Sequence, residues 1–193
     1  MGLTALFSFS YADDCQKYSK YIEKYTRLYI SQDFPYWYAI GQVKTESNCR
    51  NILSKDGHGS IGIAQITPKF WDRELLPLFP DWKNTTSANY FQAYAYILNK
   101  SIQSAYCKEL WNGFQVYNRN VKKVNREARL SNCSYSLAYQ ICLTQFSEDI
   151  CVWKKDGICL QYRTSCDINY TYSRKVYLNG LQYKRGSDLW KFF

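Results

Sequence analysis

The sequence predicts a mostly α-helical protein folded as one domain, and three observations lead to this prediction. Apolar side chains recur at three- and four-residue spacing along most of the chain, which is the period of one helix face. No segment alternates apolar and polar residues over more than four positions, as a half-buried strand would. The 193 residues contain no internal repeat and 46% are apolar, so a single domain can bury a sizeable core.

Two helices are predicted before residue 48 and a third begins at Pro68. The first carries aromatic and aliphatic residues at helical spacing: Tyr18, Tyr21, Ile22, Tyr25, Leu28 and Tyr29. The second begins near Phe34 and Pro35 and runs to about Ser47, because proline is tolerated in the first turn of a helix. The third runs through Leu76.

A loop separates the second and third helices, and further helices follow. Residues 48–61 are rich in asparagine, glycine and serine, which indicates a loop with room for a short β-hairpin. Ser87 is a favourable N-cap for a helix over residues 88–103. Two more helical segments are predicted at residues 106–118, which the sequence VKKVNREARL follows, and at residues 169–184.

The eight cysteines indicate an oxidising compartment. None of them forms a C-x-x-C pair and the chain has one histidine, so the sequence does not favour a zinc site, and no metal or other cofactor is predicted. An even number of cysteines without metal-ligand spacing is typical of disulfides. Five lie between Cys133 and Cys166, which predicts a disulfide-rich insertion at about residues 131–168. The sequence leaves the pairing open.

The N-terminal segment, residues 1–12, resembles part of a secretory signal. It reads MGLTALFSFSYA, which is apolar and uncharged and has small residues near its end, although the positive first region of a signal is missing. A buried first helix is the alternative. Residues 13–193 then form the domain, and no other stretch approaches the ~20 apolar residues that cross a bilayer. We therefore expect a periplasmic or secreted protein without a transmembrane span.

Charge and aromatic content narrow the class of partner. The formal net charge is +9, which favours an anionic partner such as nucleic acid, anionic lipid or an acidic wall polymer. The cations are scattered and no helix-turn-helix, zinc-finger or RNA-binding signature is present, so nucleic acid is not predicted. The 19 tyrosines, 10 phenylalanines and 6 tryptophans fit an aromatic core or an aromatic groove.

Glu46 is the strongest candidate for a catalytic group. It follows Ala39 and Val43 on one face of the second predicted helix, a face that we expect to be buried. Burial and the negative end of the helix dipole both raise the pKa of a carboxyl at this position. A carboxyl that stays protonated near neutral pH can act as a general acid. The alternative is a solvated surface charge.

Four short motifs in the chain occur in a recognisable order. They are Glu46-Ser47, the GIAQ loop at residues 62–65, the VYN triplet at residues 116–118 and TYSRKV at residues 171–176. Together they resemble the soluble lytic transglycosylases and goose-type lysozymes, whose patterns are a Glu-Ser pair, a Gly-Leu-Met-Gln loop, an Ala-Tyr-Asn triplet and an asparagine-tyrosine pair shortly before Lys-Val. The resemblance covers about residues 35–118 and 168–180.

The resemblance implies a lysozyme-like helical domain that cleaves peptidoglycan. Glu46 would protonate the β-1,4 glycosidic oxygen between N-acetylmuramic acid (MurNAc) and N-acetylglucosamine (GlcNAc) and then act as base. The MurNAc 6-hydroxyl would attack the anomeric carbon and give a 1,6-anhydro product. The partner would be the glycan strands of the wall, in the context of a phage, secretion or conjugation apparatus, and a virion is a further possible location.

The resemblance also implies roles for six residues around the acid: Ser47, Gly62, Gln65, Tyr117, Asn118 and Tyr172. Ser47 would orient the site, and Gly62 and Gln65 would contact the MurNAc unit. Tyr117 and Asn118 would hold the substrate, and Tyr172 would hydrogen-bond near the carboxyl. Each position has a structural alternative, in which the glycine shapes a turn, the glutamine caps a backbone group and the tyrosines belong to the core.

The chain departs from the family pattern in three places. Ala64 replaces the methionine of the glycine loop, Arg119 and Asn120 replace Ala-Gly after the Tyr-Asn pair, and the cysteine-rich segment has no counterpart. These departures concern substrate subsites more than the acid.

Two alternatives to a transglycosylase stay open. Asp56 precedes Gly62 by six residues, as an aspartate does in goose-type lysozymes, and it would activate water in a muramidase. An Asp-Gly turn is the structural reading of Asp56. His58, in the same loop, is expected to be exposed. The second alternative, from another class, is an inactive lysozyme-shaped module that binds the wall.

Overall fold

A computed structural model describes residues 14–54 and 58–185 of the chain. In this part, eight α-helices and one two-stranded antiparallel sheet are present, which confirms the mostly α-helical prediction. The helices are α1 (Ser19–Tyr29), α2 (Tyr36–Ser47), α3 (Pro68–Leu78), α4 (Ala88–Ser104), α5 (Leu110–Asn118), α6 (Val121–Leu130), α7 (Tyr135–Ile141) and α8 (Ser165–Leu181). The strands are β1 (Asp149–Lys155) and β2 (Ile158–Thr164). Residues 1–12, with the predicted signal-like segment, lie outside the described residues.

The helix ends follow local chemistry. Pro35 immediately precedes α2, and Pro68 occupies the first turn of α3. The Ser87 side chain accepts a hydrogen bond of 3.2 Å from the Tyr90 amide, so the predicted N-cap of α4 is confirmed. The helix predicted from residue 106 begins only at Leu110. Within the described ranges, no helix has the length and apolar character needed to cross a membrane.

The strands are a correction to the sequence prediction, which expected none longer than four residues. β1 and β2 pair antiparallel with two irregularities in their register. Nearly all of their residues are exposed, and the apolar side chains of Ile158, Leu160 and Tyr162 on one face of β2 are among them. Because Cys159 interrupts the pattern, only residues 160–163 alternate apolar and polar side chains, which is too short a run to predict a strand. In the loop where a short hairpin seemed possible, the described residues form only isolated bridges, between Leu53 and Ile61 and between Ile61 and Ile66.

All eight cysteines form disulfides, and these fix the segments between the helices. The four pairs are Cys15–Cys49, Cys107–Cys133, Cys142–Cys166 and Cys151–Cys159. The second pair joins the insertion to the helical body, the third joins its helical part to the start of α8, and the fourth links β1 to β2. Four disulfides indicate an oxidising compartment.

Helix α2 lies at the centre of the core. Trp37, Ile40 and Val43 are fully buried, and Ala39 is buried on the same face as predicted. α2 crosses α8 at a glycine: a Cβ added to Gly41 would lie 2.5 Å from the backbone nitrogen of Gly180. The absence of a side chain therefore allows the two backbones to approach closely.

A buried ion pair connects the end of α5 to α6. Arg119 donates from Nη1 to Oε2 of Glu127 over 2.9 Å, and the Glu127 side chain is fully buried. The Tyr170 hydroxyl donates to the same oxygen over 3.2 Å. Because removing one partner leaves a buried charge unpaired, these three residues tie α5, α6 and α8 together.

Candidate active site

A cavity of about 530 Å³ opens beside the C-terminal end of α2. Its walls come from the end of α2, the loop after residue 58, the start of α3 and the end of α5. The volume falls in the range of small-molecule and sugar-binding clefts. The residues that line the cavity include Glu46, Ser54, His58, Ser60, Gln65, Thr67, Phe70, Trp71, Tyr117 and Asn118.

Glu46 is the acidic group among the described residues that line this cavity. It lies in the last turn of α2 and is half-buried. Burial raises the pKa of its carboxyl from 4.5 to about 7, and a hydrogen bond from Tyr172 opposes this rise. Near neutral pH both the acid and the carboxylate are therefore populated, which is the property that a residue acting first as acid and then as base requires.

A chain of hydrogen bonds orients the Glu46 carboxyl. The Tyr94 hydroxyl donates to Oε1 of Gln42 over 2.8 Å, and Nε2 of Gln42 donates to the Tyr172 hydroxyl over 3.1 Å. The Tyr172 hydroxyl then donates its single hydrogen to Oε1 of Glu46 over 2.5 Å. An amide nitrogen can only donate, so it fixes the direction of the chain. The proton of the neutral acid therefore belongs on Oε2 of Glu46.

Tyr94 and Tyr172, the two tyrosines of this series of hydrogen bonds, are neutral donors. Burial raises the pKa of the Tyr94 and Tyr172 hydroxyls well above the ordinary value, and the nearby Glu46 charge acts in the same direction. A second buried tyrosine pair of this kind, Tyr90 and Tyr117, supports the glycine loop, and the pKa of each is raised chiefly by burial. The surroundings of Glu46 thus supply hydrogen bonds without a competing charge.

The glycine loop is held against α4 by Tyr90. Gly62 has a φ of +72°, and a Cβ there would lie 2.5 Å from Cζ of Tyr90. The Tyr90 hydroxyl accepts from the Ala64 amide over 2.8 Å and donates to the Ile61 carbonyl over 3.2 Å. A left-handed backbone and a tyrosine ring in van der Waals contact both require glycine at this position.

Two further side chains anchor the same loop to the helices of the site. The Ser47 hydroxyl donates to the Ile63 carbonyl over 2.8 Å, and the Tyr117 hydroxyl donates to the Ala64 carbonyl over 2.9 Å. The loop is therefore fixed to α2 next to Glu46 and to α5 across the cavity.

Gln65 faces the cavity and also caps the loop. Its Nε2 donates to the carbonyls of Gly62, over 2.7 Å, and Ile52, over 3.1 Å. Both amide hydrogens are used in these bonds, so Oε1 is the atom of this side chain that is suited to accept a hydrogen bond from a ligand.

The structure brings four of the predicted site residues to one cavity and places three others behind it. Glu46, Gln65, Tyr117 and Asn118 line the cavity. The other three do not line this cavity. Ser47 and Gly62 hold the glycine loop in place, and Tyr172 donates a hydrogen bond to the Glu46 carboxyl. Asp56 lies outside the described residues.

Sequence reasoning missed three polar residues of the site: Gln42, Tyr90 and Tyr94. Gln42 precedes Glu46 by one helical turn, on a face that is otherwise apolar, and this polar exception was the available signal. Tyr90 and Tyr94 are one turn apart on α4 and are indistinguishable from core residues by pattern alone. Their hydroxyl contacts depend on the tertiary packing of α4 against α2.

Removal of the Tyr172 hydroxyl tests the orientation of the acid. Tyr172→Phe deletes the bond that lowers the pKa of Glu46, so we expect that pKa to rise. The pH dependence of the variant's cleavage rate, or carboxyl NMR of Glu46, measures the shift. Tyr21→Phe, on the exposed side of α1, is the matched control. An unchanged or lower pKa in Tyr172→Phe would contradict this geometry.

The described residues contain one group with the spacing of metal ligands. It consists of Cys107, Glu109 and Cys133, but the two cysteines are joined in a disulfide and are not thiolate ligands.

Comparison with known proteins identifies no relative of this chain. No family model, no curated protein and no solved structure matches the chain. Its function is therefore inferred from the chemistry of the cavity and from the resemblance of its motifs.

Proposed function

We propose that the protein is a peptidoglycan lytic transglycosylase that cleaves the β-1,4 bond between MurNAc and GlcNAc. The observation that carries the proposal is the half-buried Glu46 carboxyl, with a pKa of about 7, on the wall of a 530 Å³ cavity. A module that only bound the wall would gain nothing from a desolvated carboxyl at this place, because such a group destabilises the fold when it ionises.

The first step is the departure of GlcNAc. Neutral Glu46 gives the proton on Oε2 to the glycosidic oxygen while the bond from the MurNAc anomeric carbon to that oxygen breaks. The 2-acetamido oxygen of the same MurNAc attacks the anomeric carbon and forms a cyclic oxazolinium ion. Because the substrate supplies this nucleophile, one enzymatic carboxyl is sufficient, in contrast to the carboxylate pair of most glycosidases.

The second step closes the anhydro ring. Ionised Glu46 takes the proton of the MurNAc 6-hydroxyl, whose oxygen attacks the anomeric carbon and displaces the acetamido oxygen. The products are a 1,6-anhydro-MurNAc end and a GlcNAc end, and Glu46 is again protonated. No water is consumed. A pKa near 7 serves both steps, since neither protonation state is costly to reach.

The cavity has the surfaces that a sugar chain requires. Phe70, with 69% of its surface exposed, and Trp71 offer flat apolar rings beside the acid, and such rings pack on the faces of sugar rings. On the polar side, Ser60 and Thr67 present hydroxyls 2.7 Å apart, and Gln65 and Asn118 present amides. Hydrogen bonds from such groups orient a glycan relative to Glu46.

One observation favours a muramidase as the second candidate. Ser54 and His58 both line the cavity, and Asp56 lies between them in the chain, outside the described residues. If water rather than the 6-hydroxyl attacks the anomeric carbon, Asp56 would be the base that activates it, as the resemblance to goose-type lysozymes implies. An inverting enzyme of this kind separates its two carboxyls by roughly 6.5–9.5 Å.

The masses of the products separate these candidates. We expect purified peptidoglycan digested with the protein to release muropeptides that end in 1,6-anhydro-MurNAc, each lighter by one water than the corresponding reducing-end product. Mass spectrometry of the soluble fragments measures this. Reducing ends alone would identify a muramidase, and binding to the wall without release of fragments would identify an inactive wall-binding module.

The charge and the disulfides agree with action at the cell wall. A net charge of +9 attracts an acidic wall polymer over a distance that salt shortens. The four disulfides fit a periplasmic or secreted location. Local opening of the wall for a phage, secretion or conjugation apparatus is the role that the resemblance suggests.

A further inference from the structure

A second cavity, of about 490 Å³, adjoins the Glu46 cavity. It lies between α2 and α8 and reaches the end of β2. Asn118 lines both cavities. Tyr172 lines the second cavity, while its hydroxyl contacts Glu46 in the first. The two cavities are therefore neighbours that share the Asn118 side chain.

The second cavity is lined by cations. Lys44, Arg163 and Lys175 contribute side chains to it, and the described lining residues include no carboxylate. Lys44 also donates to the Tyr183 hydroxyl over 3.3 Å. Within the described part of the chain, Arg163 and Lys175 form no ion pair at contact distance. The Arg163 charge does act on the carboxylate of Asp167, whose pKa is lowered chiefly by a hydrogen bond from Tyr139 and in smaller part by Arg163. We name this space the cationic cavity.

Arg163 belongs to the insertion that has no counterpart in the family pattern, and its position is fixed by the start of α8. The next residue, Thr164, caps α8 by accepting from the Asp167 amide over 3.0 Å. Ser165 donates its amide to the Glu148 carbonyl over 2.7 Å, which joins both ends of the hairpin. The disulfide between Cys142 and Cys166 holds the same junction.

We propose that the cationic cavity binds a carboxylate of the peptide attached to MurNAc. This inference rests on the proposed function, because it takes the ligand of the first cavity to be peptidoglycan. The peptide leaves the sugar at the MurNAc unit whose bond is cleaved, and its carboxylates are the anions nearest to that bond. A guanidinium binds a carboxylate through two parallel hydrogen bonds, and a lysine adds a point charge.

The polar residues of the cationic cavity suit a peptide. Thr171, Asn179 and Asn118 line it beside the cations, and their hydroxyl and amide groups match the hydrogen-bonding groups of a peptide backbone. The insertion, through Arg163, would then select wall fragments that carry acidic peptides.

Binding to two matched ligands tests the proposal. Glu46→Gln prevents cleavage, so calorimetry on that variant measures binding alone. The ligands are a GlcNAc-MurNAc-peptide oligomer with free carboxylates and the same oligomer with its carboxylates converted to carboxamides. We expect the free form to bind about tenfold more tightly, as for charge-assisted hydrogen bonds. Adding Arg163→Gln and Lys175→Gln should reduce this ratio to about one.

A control removes the same charge elsewhere. Lys20→Gln with Lys108→Gln, both at exposed positions, should keep the tenfold ratio. If the control variant loses the tenfold ratio as well, the preference is a general effect of net charge and the proposal is overturned. A tenfold ratio that persists without Arg163 and Lys175 would also overturn it, and so would the absence of binding by both oligomers.

Failure of the subsite and failure of the proposed function give different results. Cleavage by the wild-type protein with no preference for carboxylates would overturn the subsite alone. A preference that depends on Arg163 and Lys175, without any cleavage by the wild type, would overturn the transglycosylase and keep the subsite.

Discussion

Replacing Glu46 with glutamine is expected to lower the rate of peptidoglycan cleavage by about 10³-fold, the scale of a positioned general acid-base. Glutamine keeps the size of the side chain and can accept the hydrogen bond from Tyr172, but its amide N–H groups are not acidic enough to protonate the glycosidic oxygen. Release of soluble muropeptides at saturating substrate measures the effect. Activity within tenfold of the wild type would show that another group is the acid.

Stability measurements supply the control for this variant. In the folded protein the pKa of Glu46 is about 7, against 4.5 as the ordinary value. As pH rises between these values, the unfolded chain loses this proton and the folded chain keeps it, so the free energy of unfolding falls by up to about 3 kcal/mol. Glu46→Gln avoids this loss, so it should be more stable than the wild type above pH 7 and similar below pH 4.5.

Urea unfolding of both proteins, measured once below pH 4.5 and once above pH 7, checks this difference. A Glu46→Gln variant that is inactive and more stable at alkaline pH separates loss of chemistry from loss of fold. A variant that is less stable than the wild type at alkaline pH would contradict the desolvated carboxyl. For the wild type, the same ionisation should make the cleavage rate fall as pH rises through about 7.

Gly41→Ala is expected to lower the free energy of unfolding by about 2–3 kcal/mol. The added Cβ would lie 2.5 Å from the nitrogen and 2.7 Å from the Cα of Gly180, and it would also clash with the Val176 carbonyl. These are backbone atoms, so α8 must move away from α2, and overpacking of this kind exceeds the helix-propensity gain of alanine over glycine. Urea unfolding at neutral pH measures the loss.

Gly113→Ala is the matched control for this prediction. Its Cβ would meet the Ile102 side chain at 2.7 Å, and a flexible side chain relieves such a contact more easily than a backbone does. We therefore expect a smaller loss of stability. Gly41→Ala should also lower the cleavage rate, because α8 carries Tyr172 away from Glu46. Equal stability of Gly41→Ala and the wild type would contradict the close helix crossing.

The sequence predicted the helix that carries Glu46 because burial and proline both leave local signals. Pro35 marks its start, and Ala39 and Val43 mark its buried face. Periodicity could not predict the orientation of the carboxyl, because Tyr172, which orients it, is distant in the sequence. Only the resemblance of the TYSRKV motif pointed to Tyr172. Gln42, which joins Tyr172 to Tyr94, leaves no signal beyond one polar residue on an apolar face.

The insertion shows where prediction from pattern ends. Its cysteines predicted disulfides, but their pairing depends on which segments meet in space. Strand β1 was not predicted because Val152 and Trp153 are consecutive and both exposed, and β2 was not predicted because its alternation covers only residues 160–163. In the sequence Arg163 is one of several scattered cations, and only the structure shows that it lines the same cavity as Lys175.

The bond between Cys15 and Cys49 has a mechanical consequence for the acid. Cys49 follows the end of α2 by two residues, so the segment that leads into α1 is tied covalently to the turn just beyond Glu46. A pull on that leading segment is transmitted to this turn through sulfur, and α1 cannot detach alone. A force applied to the segment that precedes Cys15 would therefore reach the end of α2 that carries Glu46.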